Sequence, residues 1–107
     1  MDAEALANTQ GYRALVEMRD NAYARLEEEM KDVRAAVEAL EAGNRRDRRR
    51  GAGWREKMER ERSKWVAKID AIFNRLARDF DPEVGTSASV QLEAAEAFAE
   101  IFPGGEN

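Results

Sequence analysis

The side chains best suited to binding chemistry lie in one short, arginine-rich stretch. Its members are Arg45, Arg46, Arg48, Arg49, Arg50, Trp54 and Arg55. Guanidinium groups bind phosphate and carboxylate through paired hydrogen bonds, and they stack on aromatic faces. The stretch therefore predicts a contact with a polyanion such as nucleic acid, or with an acidic protein surface. The alternative is a solvated turn, because arginine outnumbers lysine by 14 to 4 across the whole chain.

The side chains that most often perform catalysis are missing. The 107-residue chain has no cysteine and no histidine, which excludes disulfides, thiolate or imidazole metal sites, and catalysis by either residue. The acidic segment 27–32 flanks an apolar stripe and is typical of a solvated helix face. The hydroxyl groups of segment 86–89 lack a histidine base and are typical of a linker with a helix cap. We therefore expect a protein that is not an enzyme, with no cofactor, metal or small-molecule substrate.

Residues 12–40 carry the clearest periodicity. Their seam positions alternate in spacing between four and three residues, and all but Arg19 are at least partly apolar: Tyr12, Val16, Arg19, Tyr23, Leu26, Met30, Val33, Val37 and Leu40. This heptad spacing is typical of a helix that buries one stripe against another helix. The helix should begin near Thr9 and stop before Gly43. The predicted contacts between copies in an oligomer are Tyr23, Leu26, Met30, Val33, Val37 and Leu40.

A second helix is predicted from about Trp54 to Phe80, after a basic turn over residues 43–53. Gly51 and Gly53 favour the turn because glycine is a poor helix former. The apolar stripe of this helix comprises Met58, Trp65, Ile69, Ile72, Leu76 and Phe80. We expect it to pair antiparallel with the first helix, as a coiled-coil-like hairpin over residues 1–80. Trp54 either covers the tip of this hairpin or forms an exposed anchor. Arg19 either fixes the register of the seam or lies near the end of the packed region.

A short acidic helix is predicted near the C-terminus, within residues 90–107, after a linker over residues 81–89. Pro82 disfavours helix in the residue before it, and Ser89 is a suitable N-cap. A helix this short must dock on another surface, either on its own chain or on a partner. If it leaves the hairpin, the predicted partner-docking residues are Phe98, Ile101 and Phe102.

Charge is strongly segregated along the chain. Residues 1–42 hold 5 basic and 10 acidic side chains, residues 43–80 hold 13 and 6, and residues 81–107 hold 6 acidic side chains and no basic ones. The acidic ends can neutralise the basic middle by folding onto it, or the middle can face an acidic partner. No apolar run is long enough to span a bilayer, so we expect no membrane contact.

These patterns predict an all-α protein with three helices: a long antiparallel hairpin and a short C-terminal helix. We expect a non-catalytic protein-interaction or assembly protein that self-associates or docks on a larger protein, in the cytoplasm or in a particle assembled there. The composition resembles that of small phage-encoded assembly and inhibitor proteins. Two alternatives stay open, namely a nucleic-acid-binding protein that uses the arginine-rich turn, and an acidic inhibitor of a nucleic-acid-handling enzyme.

Overall fold

The described part of the computed structural model, residues 9–81 and 87–102, is helical and has no strand. Its helices are α1 (Gln10–Glu29), α2 (Lys31–Glu41), α3 (Arg45–Asp79) and α4 (Ser87–Ala99). The expected all-α class is confirmed for these residues. The expected three-helix arrangement is not confirmed, because the described residues form four helices.

The predicted first helix is divided in two at Met30. Its start near Thr9 is confirmed, since the Thr9 side chain caps α1 by accepting a hydrogen bond from the Tyr12 N–H at 3.3 Å. At Met30 the helical hydrogen bonds continue: its N–H bonds the Leu26 carbonyl at 3.1 Å, and its carbonyl accepts from the Arg34 N–H at 2.9 Å. The division between α1 and α2 is therefore a local distortion at one residue.

The predicted basic turn over residues 43–53 is wrong, because α3 already begins at Arg45. Asn44 caps this helix, and its side-chain oxygen accepts a hydrogen bond from the Asp47 N–H at 2.9 Å. Gly51 is buried within the helix, where an added Cβ would lie 3.1 Å from the backbone nitrogen of Glu41. Gly51 thus permits a close approach of α3 to α2, which is why a residue of low helix propensity lies inside a helix here.

Helices α1 and α2 pack along α3 in the antiparallel sense. Near the start of α1, the Tyr12 ring meets the Phe80 ring edge-on, with centroids 6.1 Å apart. At the end of α2, Glu41 pairs with Arg55 at 2.7 Å. The start of α1 thus lies beside the end of α3, and the end of α2 lies beside the first part of α3. This antiparallel pairing requires a close turn after Glu41.

Helix α4 packs mainly on α1 and less extensively on α3. It begins at Ser87, so the prediction of Ser89 as its N-cap is wrong. Residues 82–86 of the predicted linker and the tail 103–107 lie outside the described residues. The helix and the turn after it bury six side chains: Val90, Ala94, Ala97, Phe98, Ile101 and Phe102.

Arg19 lies over an aromatic ring inside the seam. Its guanidinium carbon is 4.6 Å from the centroid of the Phe73 ring and 5.9 Å from that of Tyr23. A guanidinium above a ring face is attracted by the ring quadrupole. Contact with these aromatic faces therefore stabilises a charged side chain at a seam position that is otherwise apolar.

The molecule is elongated. Its radius of gyration is 18.0 Å and its extents are 59 × 33 × 16 Å, whereas a compact chain of this length would have a radius of gyration of about 13 Å. Within the described ranges, no helix offers a stretch apolar and long enough to cross a bilayer.

Candidate interaction surface

The predicted partner-docking residues Phe98, Ile101 and Phe102 lie in the core of their own chain, exposed by only 5–8%. The Phe102 ring stacks on Trp65, with centroids 5.9 Å apart and an interplanar angle of 11°. Arg25 also holds this end of α4: its guanidinium lies 4.6 Å from the Phe102 ring centroid and donates to the Phe102 carbonyl at 3.3 Å. These three residues therefore present no docking surface while α4 is packed, because the chain itself uses them.

The predicted oligomer seam is largely covered by the chain's own helices. Leu26, Met30 and Val37 are buried, whereas Tyr23 and Leu40 are half-buried. Val33 is the exception among the six, since 47% of it is exposed. The seam therefore packs within one chain almost entirely, with one apolar side chain left open.

Tyr23 forms a polar contact with α3 that the sequence pattern did not indicate. Its hydroxyl donates a hydrogen bond to the Asp70 carboxylate. This hydrogen bond, together with burial, raises the pKa of Tyr23 above its ordinary value. Asp70 was not predicted because only the packed structure shows which carboxylate the hydroxyl reaches.

The arginine-rich stretch divides into two parts with different roles. The five arginines between Asn44 and Gly51 are exposed on the first turns of α3, and none forms an ion pair with any described residue. Arg55 instead donates two hydrogen bonds, each 2.7 Å long, to the Glu41 carboxylate. These bonds lower the pKa of Glu41 and raise that of Arg55. Arg55 therefore ties α3 to α2, and the five arginines stay open to solvent.

The exposed cations of α3 form a row that extends far beyond the arginine-rich stretch. We define the basic row as Arg46, Arg50, Lys57, Lys64, Lys68 and Arg75, all of which are exposed. Their spacing of four or seven residues places them within about 40° of one another around a helix, over about 44 Å of its length. The sequence carried this signal, but it is visible only when residues 45–79 are read as one continuous helix.

Both tryptophans lie beside the basic row. The Lys57 ammonium is 4.9 Å from the Trp54 ring centroid, and the Lys68 ammonium is 4.7 Å from that of Trp65. Trp65 is half-buried under α4, whereas 47% of Trp54 is exposed. The Trp54 ring is therefore open to solvent, and its role as an anchor stays a prediction.

Other cations are neutralised within the fold. Glu27 accepts hydrogen bonds from Arg34 at 2.8 Å and from Arg62 at 2.7 Å, and these bonds hold its pKa below the ordinary value. On the outer surface of α3, Arg60 pairs with Glu56 at 3.0 Å. The basic row differs from these paired arginines. Among the described residues, Glu61 is the one carboxylate that pairs with a member of the row, and it lies 3.4 Å from Lys64.

This surface offers positive charge and one exposed aromatic ring, which are features of a binding surface. In the part of the chain that the structure covers, no group of three or more potential metal-ligating side chains gathers in one place. Comparisons with protein-family models, with curated proteins and with solved structures find no match to this chain.

Proposed function

We propose that this protein is a non-catalytic interaction protein that docks on an acidic surface of a larger protein through the basic row and Trp54 of α3. The observation that carries the proposal is Trp54, nearly half exposed between Arg50 and Lys57 of the basic row. Tryptophan and arginine are the residues most enriched at the energetic centres of protein interfaces. We place the protein in the cytoplasm or in a particle assembled there, where a phage assembly component would also act.

A different protein suits this surface better than a second copy of the chain. Leu26, Met30 and Val37, which would form a self-association seam, already pack inside the chain. Pairing two copies through the basic row would also place like charges opposite each other, which is unfavourable. Self-association through the remaining exposed apolar residues is therefore the weaker version of the proposal.

Nucleic acid is the second candidate partner, favoured by the length of the basic row. Cations spread over about 44 Å of helix could contact several phosphates, and such binding would weaken steeply with salt. The formal net charge of −4 opposes long-range attraction to a polyanion. Nucleic acid carries a phosphate at every nucleotide, so this net charge opposes it more than it opposes a single acidic patch on a protein, and we favour the acidic protein.

The test is capture from a nuclease-treated lysate of the native source with the wild-type protein and a Trp54→Ala/Lys57→Glu variant. We expect one protein to bind the wild type and to be lost with the variant, because both the aromatic anchor and a row cation are removed. The matched control is Lys31→Glu, which reverses the charge of an exposed lysine on α2, away from α3.

A parallel salt titration uses random-sequence duplex DNA and RNA. Tight duplex binding that depends on Lys57, with no protein captured, would replace the proposal by the nucleic-acid candidate. Capture that is equal for the wild type and for the Trp54→Ala/Lys57→Glu variant would contradict the proposed surface.

A further inference from the structure

Helix α4 fills only part of a longer groove. It runs beside α1 and α3, with Val90 near Phe80 and the opposite end, at Phe102, beside Trp65 and Met30. Its last described residues therefore point along α3 toward the α2–α3 turn. Beyond Phe102, the described helices α2 and α3 continue as a pair without α4.

On α3, the helix face that lies under α4 extends toward the α2–α3 turn, and this extension includes Trp54. Trp54 precedes Trp65 by eleven residues, which is close to three full turns, so both rings lie on nearly the same face. Trp65 carries the stacked ring of Phe102, whereas Trp54 has no ring upon it and is 47% exposed. The uncovered part of this face is about 16 Å long at ~1.5 Å per residue.

On the opposite side, Val33 continues the same face. Val33 follows Leu26 by seven residues, two turns of helix, so the two side chains lie on one face. Leu26 is buried and lines the depression at the end of α4 together with Ile101, whereas 47% of Val33 is exposed. An exposed apolar residue on each side thus marks the part of the groove that α4 leaves open.

Helix α4 shows what kind of segment this groove accepts. Its apolar face is buried against α1, and its carboxylates Glu93, Glu96 and Glu100 line one depression together with Arg75 of the basic row and with Asp79 and Asp81. Beside the open part of the groove, the same row continues with Arg50, Lys57 and Lys64. The open part of the groove therefore combines two exposed apolar side chains with cations of the basic row, of which Lys64 pairs with Glu61.

We propose that this open groove, marked by Val33 and Trp54, binds an acidic amphipathic helix of a partner protein, about three turns long. The inference rests on the proposed function and specifies the chemistry of its partner. The partner's apolar residues lie on Trp54 and Val33, and its carboxylates face Arg50, Lys57 and Lys64.

Two other occupants fit less well. The five residues after Phe102 read Pro-Gly-Gly-Glu-Asn and contain no large apolar side chain to cover Trp54 or Val33. A second copy that presents the same face would place its own basic row against this one. An acidic helix from a different protein satisfies both the apolar and the charged part of the groove.

The probe is a fluorescein-labelled peptide with the sequence of residues 87–102, because it has the required acidic amphipathic chemistry. Fluorescence anisotropy measures its binding to the full chain at low salt. We expect saturable binding that Trp54→Ala weakens at least tenfold and that Lys57→Glu also weakens. A peptide with Gln in place of each Glu should bind at least tenfold more weakly than the acidic peptide.

Two further variants keep the result interpretable. Val33→Glu places a carboxylate on the opposite side of the groove and should weaken binding as Trp54→Ala does. Leu92→Glu is the matched control, since Leu92 is 73% exposed on the outer face of α4, and its affinity should equal that of the wild type. Circular dichroism confirms that each variant retains the helical content of the wild type.

The outcomes separate the groove from the broader proposal. Binding that depends on Lys57 and Trp54 but is insensitive to Val33→Glu overturns the groove and leaves the acidic-partner function standing. Binding insensitive to all three changes means that the peptide occupies the seat of α4 itself, which overturns the groove. No peptide binding, with salt-sensitive binding of a 16-base-pair duplex instead, overturns both.

Discussion

Two glycines of α3 stand two residues apart and face different surroundings. An added Cβ at Gly53 meets nothing within 4 Å, whereas one at Gly51 would lie 3.1 Å from the Leu40 Cβ and from the Glu41 backbone nitrogen. Both residues share the entropic cost of glycine in a helix, but only Gly51 serves a close approach between helices. Substitution of each by alanine separates the two effects.

We expect Gly53→Ala to raise the free energy of unfolding by about 1 kcal/mol, because alanine restricts the unfolded chain and adds no clash. Gly51→Ala should give a smaller gain or a loss, since the backbone of α2 cannot move as freely as a side-chain tip. Urea unfolding followed by circular dichroism measures both. Equal stabilisation by the two substitutions would show that Gly51 has no packing role.

Glu27 makes stability depend on pH in the acid range. Its pKa is lower in the folded protein because Arg34 and Arg62 bond the carboxylate. As the pH falls, the unfolded chain takes up this proton first, so the contribution is full above the unfolded pKa of about 4.3 and is lost through the lower folded pKa. The Glu27 side chain is 38% exposed, so solvent screening reduces the effect.

We therefore expect Glu27→Gln to lower the melting temperature at pH 7 and to have a smaller effect at pH 3. Melting curves across this range provide the measurement. Glu28→Gln is the control, because Glu28 is exposed and forms no ion pair with a described residue. A constant difference between wild type and Glu27→Gln at every pH would contradict the ion-pair explanation.

At the scale of elements, the sequence predicted helices more reliably than their limits. The heptad spacing over residues 12–40, the start near Thr9 and the stop before Gly43 are local signals, and the bounds of α1 and α2 agree with them. The low helix propensity of Gly51 and Gly53 predicts a turn at these residues, whereas α3 already begins at Arg45. The packing of Gly51 against α2 is a tertiary contact that no local pattern contains.

Helix α4 contributes to the core, and substitutions in this helix should show that contribution. We expect Phe98→Ala to lower the free energy of unfolding by about 3–5 kcal/mol, because it removes a buried aromatic ring and leaves a cavity. Leu92→Ala, at a position 73% exposed, should change stability by less than about 0.5 kcal/mol. Chemical denaturation and hydrogen exchange of α4 measure the effects. A negligible effect of Phe98→Ala would mean that α4 is detached in solution.

At the scale of the whole molecule, internal packing of the seam favours a monomer. Leu26, Met30 and Val37 lie under the chain's own helices, so little of the predicted oligomer contact is left for a second copy. The elongated outline results from the α2–α3 pair, which extends beyond the end of α4. A measurement of molecular shape therefore tests the fold, and a measurement of mass tests self-association.

We expect sedimentation equilibrium at micromolar concentration to give a single species near 12.1 kDa. Small-angle X-ray scattering should give a radius of gyration near the 18.0 Å of the structure. A Val33→Asp variant serves as a comparison, since it would dissociate a dimer held by the exposed part of the seam. Twice the monomer mass for the wild type, reduced to the monomer mass by Val33→Asp, would establish self-association through that residue.

The sequence by itself determined the helical class, the apolar seam and the segregation of charge, because periodicity, capping and composition act over a few neighbouring residues. Only the tertiary structure decided that Phe98, Ile101 and Phe102 pack on their own chain, and that Trp54 is left exposed beside a continuous basic row. An amphipathic helix carries the same apolar face whether it covers its own chain or a partner. Which surface it covers depends on the competing contacts available in three dimensions, and those are not a local property of the sequence.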